Sequence, residues 1–294
     1  MGRRALVIVN PYAGMKKSKK NMFEIVDRLC QQDYSVSVQT TTKPKDGILF
    51  VKEYGAEQDL IVCCGGDGTL NEVINGVLES GLRVPIGYVP AGTTNDFART
   101  LRLPKKVEKC MDRILTGWPH CCDIGSFNGR NFTYIASLGA FTKVSYSTPQ
   151  KLKNALGHTA YLLEGVKEIG NISPFEAEVT VGDEKITGEF VFGSVSNSTS
   201  VAGLFKLNGL DVRLDDGEFE LMLIRNPKNA IDLNRIVQGL VKSKYDPRHV
   251  VFTHARAIDF KTSRPLSWTL DGESGGQQEA VQISVLHNAI RLMI

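Results

Sequence analysis

The sequence predicts an α/β N-terminal domain built on a parallel, Rossmann-like sheet, followed by a C-terminal β-sandwich domain. Strand-like and helix-like segments alternate through residues 1–125, whereas residues 126–294 are rich in short strands joined by turns. A glycine-rich loop, Gly65–Thr69, directly follows an apolar strand and opens a helix. Together these observations predict a ligand-binding sheet edge in the first domain and a strand-built second domain.

The N-terminal strands are short apolar runs, and the helices are segments whose apolar residues recur at helical spacing. The strands are expected at 5–9, 36–40, 60–64 and 84–89, and the helices at 22–29, 48–54, 70–78, 95–101 and 107–115. Repeated βα units imply a mostly parallel sheet covered by helices. Ligands of such sheets bind outside the carboxyl ends of the strands, so the loops at those ends form the candidate site.

The second half changes character near Asp123, where hairpin signals begin. Its strands are expected at 175–181, 186–195, 219–224, 250–252, 257–260, 281–286 and 289–293, and its helices at 150–169 and 229–240. Turn sequences at 127–130 and 182–185 join strand-like runs, which favours a β-sandwich. The domain boundary is expected near residue 125, and a return of the last strand to the first domain is left open.

Composition excludes several classes of protein. The 294 residues are 42% hydrophobic and 23% charged, as in a soluble globular protein, and the net charge of +3 is too small to indicate nucleic-acid binding. No apolar run reaches the roughly 18 residues of a membrane-spanning helix. The apolar run at 5–9 is too short for a signal peptide, so a cytoplasmic location is expected. The six cysteines form no CxxC motif and are expected to be reduced structural thiols.

The loop Gly65–Thr69 has the composition of a nucleotide phosphate site. Glycines let the backbone approach a ligand, and the N–H groups of a helix start favour an anion. Its one carboxylate, Asp67, suits a phosphate-bound Mg²⁺. The alternative is a glycine-rich turn with an acidic helix cap. Because no Gly-x-x-x-x-Gly-Lys-Ser/Thr motif occurs, the chain is not a P-loop enzyme.

Two further loops, 10–14 and 90–96, end strands at the same predicted sheet edge. The second carries Asp96, so that Asp67 and Asp96 together match the one or two carboxylates that Mg²⁺ takes from a protein. For a lone aspartate a helix cap would be the favoured explanation, and it is the pairing of the two motifs that favours the metal.

Two charged groups elsewhere have competing explanations. Lysines at 16, 17, 19 and 20, with basic residues at 102, 105, 106, 109 and 113, form either solvated faces or a surface attracted to anionic lipid. Asp271 and Glu273 bracket Gly272, so in a strand both carboxylates would share a face and could serve as a base in one cleft. The alternative is an Asp-Gly turn with two exposed acids.

Four motifs occur in an order that resembles the soluble diacylglycerol kinase, sphingosine kinase and ceramide kinase family. They are Gly65-Gly66-Asp67-Gly68-Thr69 with Leu70-Asn71-Glu72, Pro90-Ala91-Gly92-Thr93-Thr94-Asn95-Asp96-Phe97-Ala98-Arg99, Asp215-Asp216-Gly217-Glu218-Phe219, and Leu270-Asp271-Gly272-Glu273. NAD kinases share the first motif, while the second is specific to lipid kinases. The resemblance covers nearly the whole chain and implies the NAD kinase/diacylglycerol kinase-like fold.

The resemblance also implies roles for individual residues. ATP would be held by Asn10, Gly14, Lys16, Thr40 or Thr41, Gly65, Gly66, Asp67, Gly68, Thr69, Asn71, Glu72, Thr93, Asn95 and Asp96. Asp67 and Asp96 would bind the catalytic Mg²⁺, and Asp216 would bind a structural Mg²⁺. Asp271 and Glu273 would face the nucleotide cleft and supply the proton acceptor, with Glu273 favoured.

The implied activity is that of an ATP- and Mg-dependent lipid kinase of phospholipid metabolism, which converts diacylglycerol to phosphatidic acid. Another lipid alcohol (a sphingoid base, ceramide or glycolipid) and a non-catalytic lipid- or nucleotide-binding module are the alternatives. The segment 192–200 is expected to line the acceptor cleft, and its serine- and threonine-rich end departs from the family pattern. The expected partner is lipid at a membrane surface, contacted peripherally. A homodimer is left open.

Overall fold

The structure is a computed structural model, and it describes residues 2–140, 173–198, 200–201, 205–206 and 212–294. The chain divides into two compact units. The first consists of Met1–Asp123 with Asn288–Ile294, and the second of Ile124–His287. The helix expected at 150–169 lies outside the described residues.

In the first unit, strands and helices alternate as the sequence predicts. The elements are β1 Arg3–Val9, α1 Lys17–Cys30, β2 Tyr34–Thr40, α2 Asp46–Tyr54, β3 Leu60–Gly65, α3 Asp67–Glu79, β4 Ile86–Pro90, α4 Asp96–Thr100 and α5 Val107–Thr116, with short 3₁₀ turns at Ala13–Lys16 and Gly55–Glu57. β5, Pro119–Phe127, and the long β15, Glu273–Met293, each contribute to both units.

The strands of this unit pair in parallel in the order β2-β1-β3-β4, and Leu292 near the end of β15 lies beside Ile86 of β4. The Rossmann order is 3-2-1-4, whereas the order here is the 2-1-3-4 of the flavodoxin-like variant. The parallel pairing is therefore observed, while the Rossmann-like assignment is not confirmed.

Helices cover this sheet because its central strands are apolar on both faces. All six residues of β3 are buried, as in a parallel strand enclosed by helices. α1 and α5 contribute Ile25 and Met111 to one apolar cluster with Val7 and Val62. α2 and α3 pack on each other and contact β1 and β3. The buried strands thereby fix the positions of the loops at their carboxyl ends.

The second unit is strand-rich, as predicted. Its elements are β6 Arg130–Phe132, β7 Ile135–Gly139, β8 Phe175–Val181, β9 Glu184–Ser196, β10 Ser200–Val201, β11 Phe205–Lys206, β12 Phe219–Arg225, α6 Ala230–Lys242, β13 Val250–Ala255 and β14 Ala257–Leu270, with parts of β5 and β15. The signal at 127–130 forms the predicted hairpin between β5 and β6, because Asn128 and Gly129 both adopt positive φ.

The predicted β-sandwich is not confirmed, because two long strands, β9 and β14, each change partner along one edge. The first half of β9 pairs with β8 and its second half with β7. β14 does the same, pairing first with β8 and then with β7. These four strands therefore close into a barrel-like sheet rather than two separate layers. The apolar core of this unit includes Phe190, Phe219 and Trp268.

Strand lengths account for the difference. The sequence predicts a strand at 257–260 and separate strands at 281–286 and 289–293, whereas β14 has 14 residues and β15 has 21. β14 continues through polar residues around an irregularity between Lys261 and Leu266. Polar residues on a strand's solvent side weaken the apolar signal on which the prediction depends.

Candidate active site

Three loops at the carboxyl ends of β1, β3 and β4 are joined through their backbones. The N–H of Asn10 donates to the carbonyl of Cys64 at 3.0 Å, and the N–H of Ala91 donates to the carbonyl of Gly65 at 2.7 Å. Gly14, at φ +52°, lies so close to the next loop that a Cβ would stand 1.9 Å from the Ala91 carbonyl oxygen. The glycines are therefore required for the loops to approach one another.

The loop after β3 leads directly into the N-terminus of α3. Gly66 is the extended N-cap residue and Asp67 is the first residue of this 13-residue helix. Gly68 in the first turn is exposed, while the neighbouring Thr69 is buried. A Cβ on Gly65 would lie 2.6 Å from the Thr69 side chain, so only glycine fits there. The first-turn N–H groups of a helix have no intrahelical acceptor and attract anions.

The carboxylate of Asp67 connects the two acidic loops. Its two oxygens accept hydrogen bonds from the backbone N–H groups of Asp96 at 3.1 Å and Phe97 at 3.3 Å. The Asp96 carboxylate in turn accepts from Arg99 at 3.2 Å and is 20% exposed. The structure thus brings together the two aspartates that the sequence proposes as Mg²⁺ ligands.

This pair fits the demands of Mg²⁺. The ion keeps several waters and takes only one or two protein carboxylates beside substrate phosphates. Among the residues that the structure describes, no cluster of three or more His, Cys, Asp or Glu side chains forms a closed metal cage. A pair of carboxylates beside a helix N-terminus suits a phosphate-bound ion.

Asn95 and Tyr88 brace the loop that carries Asp96. Asn95 adopts φ 50°, its Oδ1 accepts from the Gly92 N–H at 2.9 Å, and its Nδ2 donates to the Gly92 carbonyl at 2.9 Å. The Tyr88 hydroxyl lies 3.4 Å from both Asn95 Oδ1 and the Gly65 carbonyl oxygen. Burial raises the pKa of Tyr88, so its hydroxyl stays protonated and able to donate.

Sequence reasoning missed Tyr88. The available signal was a single phenol in the otherwise aliphatic buried strand β4, since a buried tyrosine hydroxyl usually has a polar partner.

Residues on the neighbouring strand ends face the same edge. Asn10 donates through Nδ2 to the Thr69 hydroxyl at 3.1 Å. Thr40 ends β2 opposite Val9, and the N–H of the buried Thr41 donates to the Val9 carbonyl at 2.9 Å. Thr93 lies exposed in the loop after β4. The side chain of Lys16 lies outside the described part of the chain.

Glu72 is turned toward another helix. Its two oxygens accept from the backbone N–H groups of Lys45 at 2.8 Å and Gly47 at 3.0 Å, at the N-terminus of α2. Asn71 accepts from Asn75 one turn further along α3. The Glu72 carboxylate therefore caps α2, which favours a positioning role over the direct phosphate contact expected from the sequence.

In the second unit, Asp271 and Gly272 form the two-residue turn between β14 and β15. Both adopt positive φ, 50° and 85°, as a type I′ turn requires. The Asp271 carboxylate accepts from three backbone N–H groups, those of Thr133 at 2.6 Å, Tyr134 at 2.9 Å and Ile135 at 3.1 Å. The expectation that Asp271 and Glu273 share one strand face is wrong, because Asp271 lies in the turn and Glu273 begins β15.

Glu273 has a different environment. Its side chain is 70% exposed, and its carboxylate lies 3.8 Å from the Arg130 guanidinium. A loosely paired, accessible carboxylate can approach a substrate hydroxyl, whereas one bound by three amides is fixed in place. Between the two acids, the geometry favours Glu273 as the base.

Asp216 lies in the turn before β12, where its Oδ1 accepts from the Glu218 N–H at 3.0 Å. Gly217 beside it adopts φ +80°. The structure is therefore consistent with the plain turn, and the proposed Mg²⁺ ligand role stays a prediction.

Comparison with known proteins identifies the family. The diacylglycerol kinase catalytic domain profile matches residues 4–127. A diacylglycerol kinase of Bacillus subtilis (strain 168) is 35% identical over 276 residues, which are 93% of this chain and 91% of that protein. A diacylglycerol kinase of Staphylococcus aureus (strain MRSA252) is 33% identical over 282 residues, covering 95% and 89%. The chain belongs to the diacylglycerol kinase family. It is an enzyme, a lipid kinase.

Solved structures of Bacillus anthracis proteins have the same fold as this lipid kinase. One, 25% identical, covers 99% of this chain and 95% of its own with a TM-score of 0.83. Another, a diacylglycerol kinase 22% identical, covers 99% and 97% with a TM-score of 0.77. None of the described helices of the lipid kinase combines the length and the apolar character needed to cross a membrane.

Proposed function

We propose that this lipid kinase transfers the γ-phosphoryl group of ATP to the free hydroxyl of diacylglycerol, giving phosphatidic acid. The observation that carries the proposal is the joining of Asp67 and Asp96 at the N-terminus of α3. A helix start that attracts anions, next to two carboxylates that suit Mg²⁺, is a site for a metal-bound polyphosphate. The substrates named for the relatives from Bacillus and Staphylococcus support diacylglycerol as the acceptor.

In this proposal the first unit holds the nucleotide. The first-turn N–H groups of Gly68 and Thr69 bind phosphate oxygens, and Gly65, Gly66 and Gly14 allow the backbone to come close. Asn10, Asn95 and Thr93 complete the cleft, with Thr40 or Thr41 toward the adenosine and Lys16 toward the phosphates. Asp67 and Asp96 would hold Mg²⁺, which neutralises the charge that develops on the transferred group.

The second unit supplies the base. The acceptor hydroxyl attacks the γ-phosphorus, its proton passes to Glu273, and the bond between the γ-phosphorus and its bridging oxygen breaks to release ADP. Asp271 fixes the turn that presents Glu273. Asp216 would hold a structural Mg²⁺, as the family resemblance implies. The enzyme would work in the cytoplasm and reach its lipid by peripheral contact with the membrane.

A lipid panel with radiolabelled ATP tests the proposal. Diacylglycerol, a sphingoid base, ceramide and a glycolipid are offered in mixed micelles, and product is separated by thin-layer chromatography. We expect labelled phosphatidic acid from diacylglycerol and Mg²⁺-dependent turnover that chelation abolishes. Another labelled lipid would reassign the acceptor, and ATP binding without any product would favour a non-catalytic binding module.

The matched variants are Asp67→Asn and Asp59→Asn. Both carboxylates accept backbone N–H groups, but Asp59, which accepts from Arg4 at 2.7 Å, precedes β3 at the amino end of the strand. We expect Asp67→Asn to lower kcat about a thousandfold with the fold retained, and Asp59→Asn to leave kcat unchanged. Full turnover by the Asp67 variant would refute its metal role.

A further inference from the structure

One sheet face of the second unit carries a row of polar side chains. Directly paired residues of antiparallel strands share a face. Glu220 of β12 pairs with Ser196 of β9 and with His254 of β13, and Ser194 of β9 pairs with Met222 of β12. We call Ser194, Ser196, Glu220 and His254 the polar row. The alternate residues, such as Leu221 and Val195, point into the apolar core on the other face.

Three members of the polar row are buried and His254 is half-buried, and one side-chain atom of each member lacks a hydrogen-bond partner. The Glu220 carboxyl group also accepts from the backbone N–H groups of Ser198 and Glu220. Ser194 and Ser196 are 0% exposed and Glu220 is 1% exposed. Within the described residues, Ser194 Oγ, Ser196 Oγ, Glu220 Oε2 and His254 Nε2 are buried without a partner. Native proteins leave few buried polar atoms unpaired, because each costs about 1–3 kcal/mol. Four such atoms on adjoining positions of one face indicate a surface that hydrogen-bonds to something outside the strands.

A neighbouring pair on the same face shows the contrast. Ser137 of β7 pairs with Ser194, and its hydroxyl lies 2.8 Å from the Thr269 hydroxyl of β14. These two hydroxyls satisfy one another. On this face, the hydroxyls of β7 and β14 are hydrogen-bonded to each other, whereas the unpaired atoms start at Ser194 on the adjacent strand β9.

The chemistry of the polar row selects an uncharged ligand. None of its members, and none of the same-face neighbours Met222, Phe192 and Phe252, is a lysine or arginine, so the row does not suit a phosphate. Burial raises the pKa of Glu220 to about 8, so its carboxyl group is mostly neutral at pH 7 and both donates and accepts. Same-face groups lie about 5 Å apart across strands and about 7 Å apart along them, which is the scale of a glycerol diester head.

We propose that the polar row binds the glycerol head of the acceptor lipid, with the hydroxyls of Ser194 and Ser196 donating to its ester carbonyl oxygens and Glu220 hydrogen-bonding to its uncharged oxygen atoms. The buried Met222 and Phe192 beside the row provide apolar contact for the start of an acyl chain. This inference rests on the proposed function, since it assigns the acceptor site of that reaction.

The test compares KM values for two acceptors, dioctanoylglycerol and its analogue in which ether links replace both esters. We expect the double variant Ser194→Ala/Ser196→Ala to raise KM for the diester about tenfold, with KM for ATP and kcat little changed. For the diether, which lacks the carbonyl oxygens, wild type and double variant should have the same KM. Glu220→Met should raise KM for both acceptors, and Glu220→Gln, which keeps a donor and an acceptor, should restore it.

Ser137→Ala is the control, because its hydroxyl is already paired. It should lower Tm slightly, because it removes the hydroxyl–hydroxyl bond to Thr269 while the Thr269 hydroxyl keeps its bond to the Ser137 carbonyl at 3.3 Å, and it should leave KM unchanged. The double variant should keep or raise Tm. An unchanged KM for the diester in the double variant would overturn the inference while the kinase activity stands. If the wild type phosphorylates no diacylglycerol, the proposed function fails, and lipid binding is then measured by the rise in Tm that dioctanoylglycerol causes. A larger rise for wild type than for the double variant would support the inference, and an equal rise or none would overturn it.

Discussion

Each unit contains an aspartate whose carboxylate is held by backbone N–H groups, but the two aspartates have different structural roles. In each, an aspartate carboxylate accepts backbone N–H groups, two for Asp67 in the first unit and three for Asp271 in the second. The amides bound by Asp67 belong to Asp96 and Phe97, so these hydrogen bonds place the two acidic residues Asp67 and Asp96 next to each other. The amides bound by Asp271 belong to a segment without acidic residues, so the bonds only fix a turn. The role of a carboxylate bound by backbone amides therefore depends on which side chains lie in the segment that donates those amides.

The sharpest test of this comparison separates Glu273 from Asp271. Glu273→Gln should lower kcat by about a thousandfold, within the range for a lost general base, and leave Tm unchanged because the side chain is 70% exposed. Asp271→Asn should instead lower the free energy of unfolding by about 2 kcal/mol, since it disturbs three hydrogen bonds. Its kcat per folded molecule should stay within about fivefold. Lipid kinase assays and thermal melts of both variants provide the measurement, and the reverse pattern would make Asp271 the base.

A pair of glycines tests how closely the loops of the first unit must approach. Gly14 and Gly81 both adopt positive φ, 52° and 62°, but a Cβ would meet the Ala91 carbonyl oxygen at 1.9 Å in the first case and nothing within 4 Å in the second. Gly81→Ala should cost about 1 kcal/mol of backbone strain. Gly14→Ala adds a backbone clash and should cost about 3 kcal/mol or displace its loop.

The readouts are urea unfolding and KM for ATP. Only Gly14→Ala should raise KM for ATP, because only that loop borders the proposed nucleotide site. Equal effects of the two variants would mean that the loops have room to separate.

The first unit could be predicted largely from sequence, and the second only in part. Strands such as β3 are continuous apolar runs followed by glycine, so the end of the strand and the loop with Asp67 can be predicted from the neighbouring residues alone. The bond from Asp67 to the Asp96 amide follows from the adjacency of β3 and β4, which the βα pattern implies.

The second unit depends on pairings between distant residues. Asp271 binds amides 136 to 138 positions away, and β9 and β14 each change partners midway. The alternation of apolar and polar residues predicts that a segment is a strand, but it does not predict which strand lies beside it. For this reason the sequence could not show which backbone amides the Asp-Gly turn binds, nor that the strands close into a barrel-like sheet. Glu220 was overlooked because an acid in a strand is ordinarily solvent-facing.

The pH dependence of stability should differ between wild type and Glu220→Gln. Burial raises the pKa of Glu220 to about 8 in the folded state, above its ordinary value of 4.5. The unfolded chain loses this proton at lower pH, so the folded state is favoured below pH 4.5 and that advantage disappears as the pH rises through 8. Wild type should therefore lose on the order of 4 kcal/mol between pH 5 and pH 9 relative to Glu220→Gln. Denaturant unfolding across this range measures it, and parallel curves would show that the carboxyl group is already ionised at pH 5.

The smallest expected effect concerns Glu72, which links α3 to α2. Its carboxylate accepts the Lys45 and Gly47 N–H groups at the start of α2, where a negative charge also favours the helix dipole. Glu72→Ala should lower the free energy of unfolding by about 1 kcal/mol, as the loss of a helix cap does. Glu79 is the matched control on the same helix, because it joins α2 through an ion pair with Lys52 in which both side chains are more than 40% exposed. Glu79→Ala should cost no more than about 0.5 kcal/mol, an effect that disappears in 0.5 M salt. A drop in kcat for Glu72→Ala beyond its loss of stability would instead place this carboxylate at the phosphates.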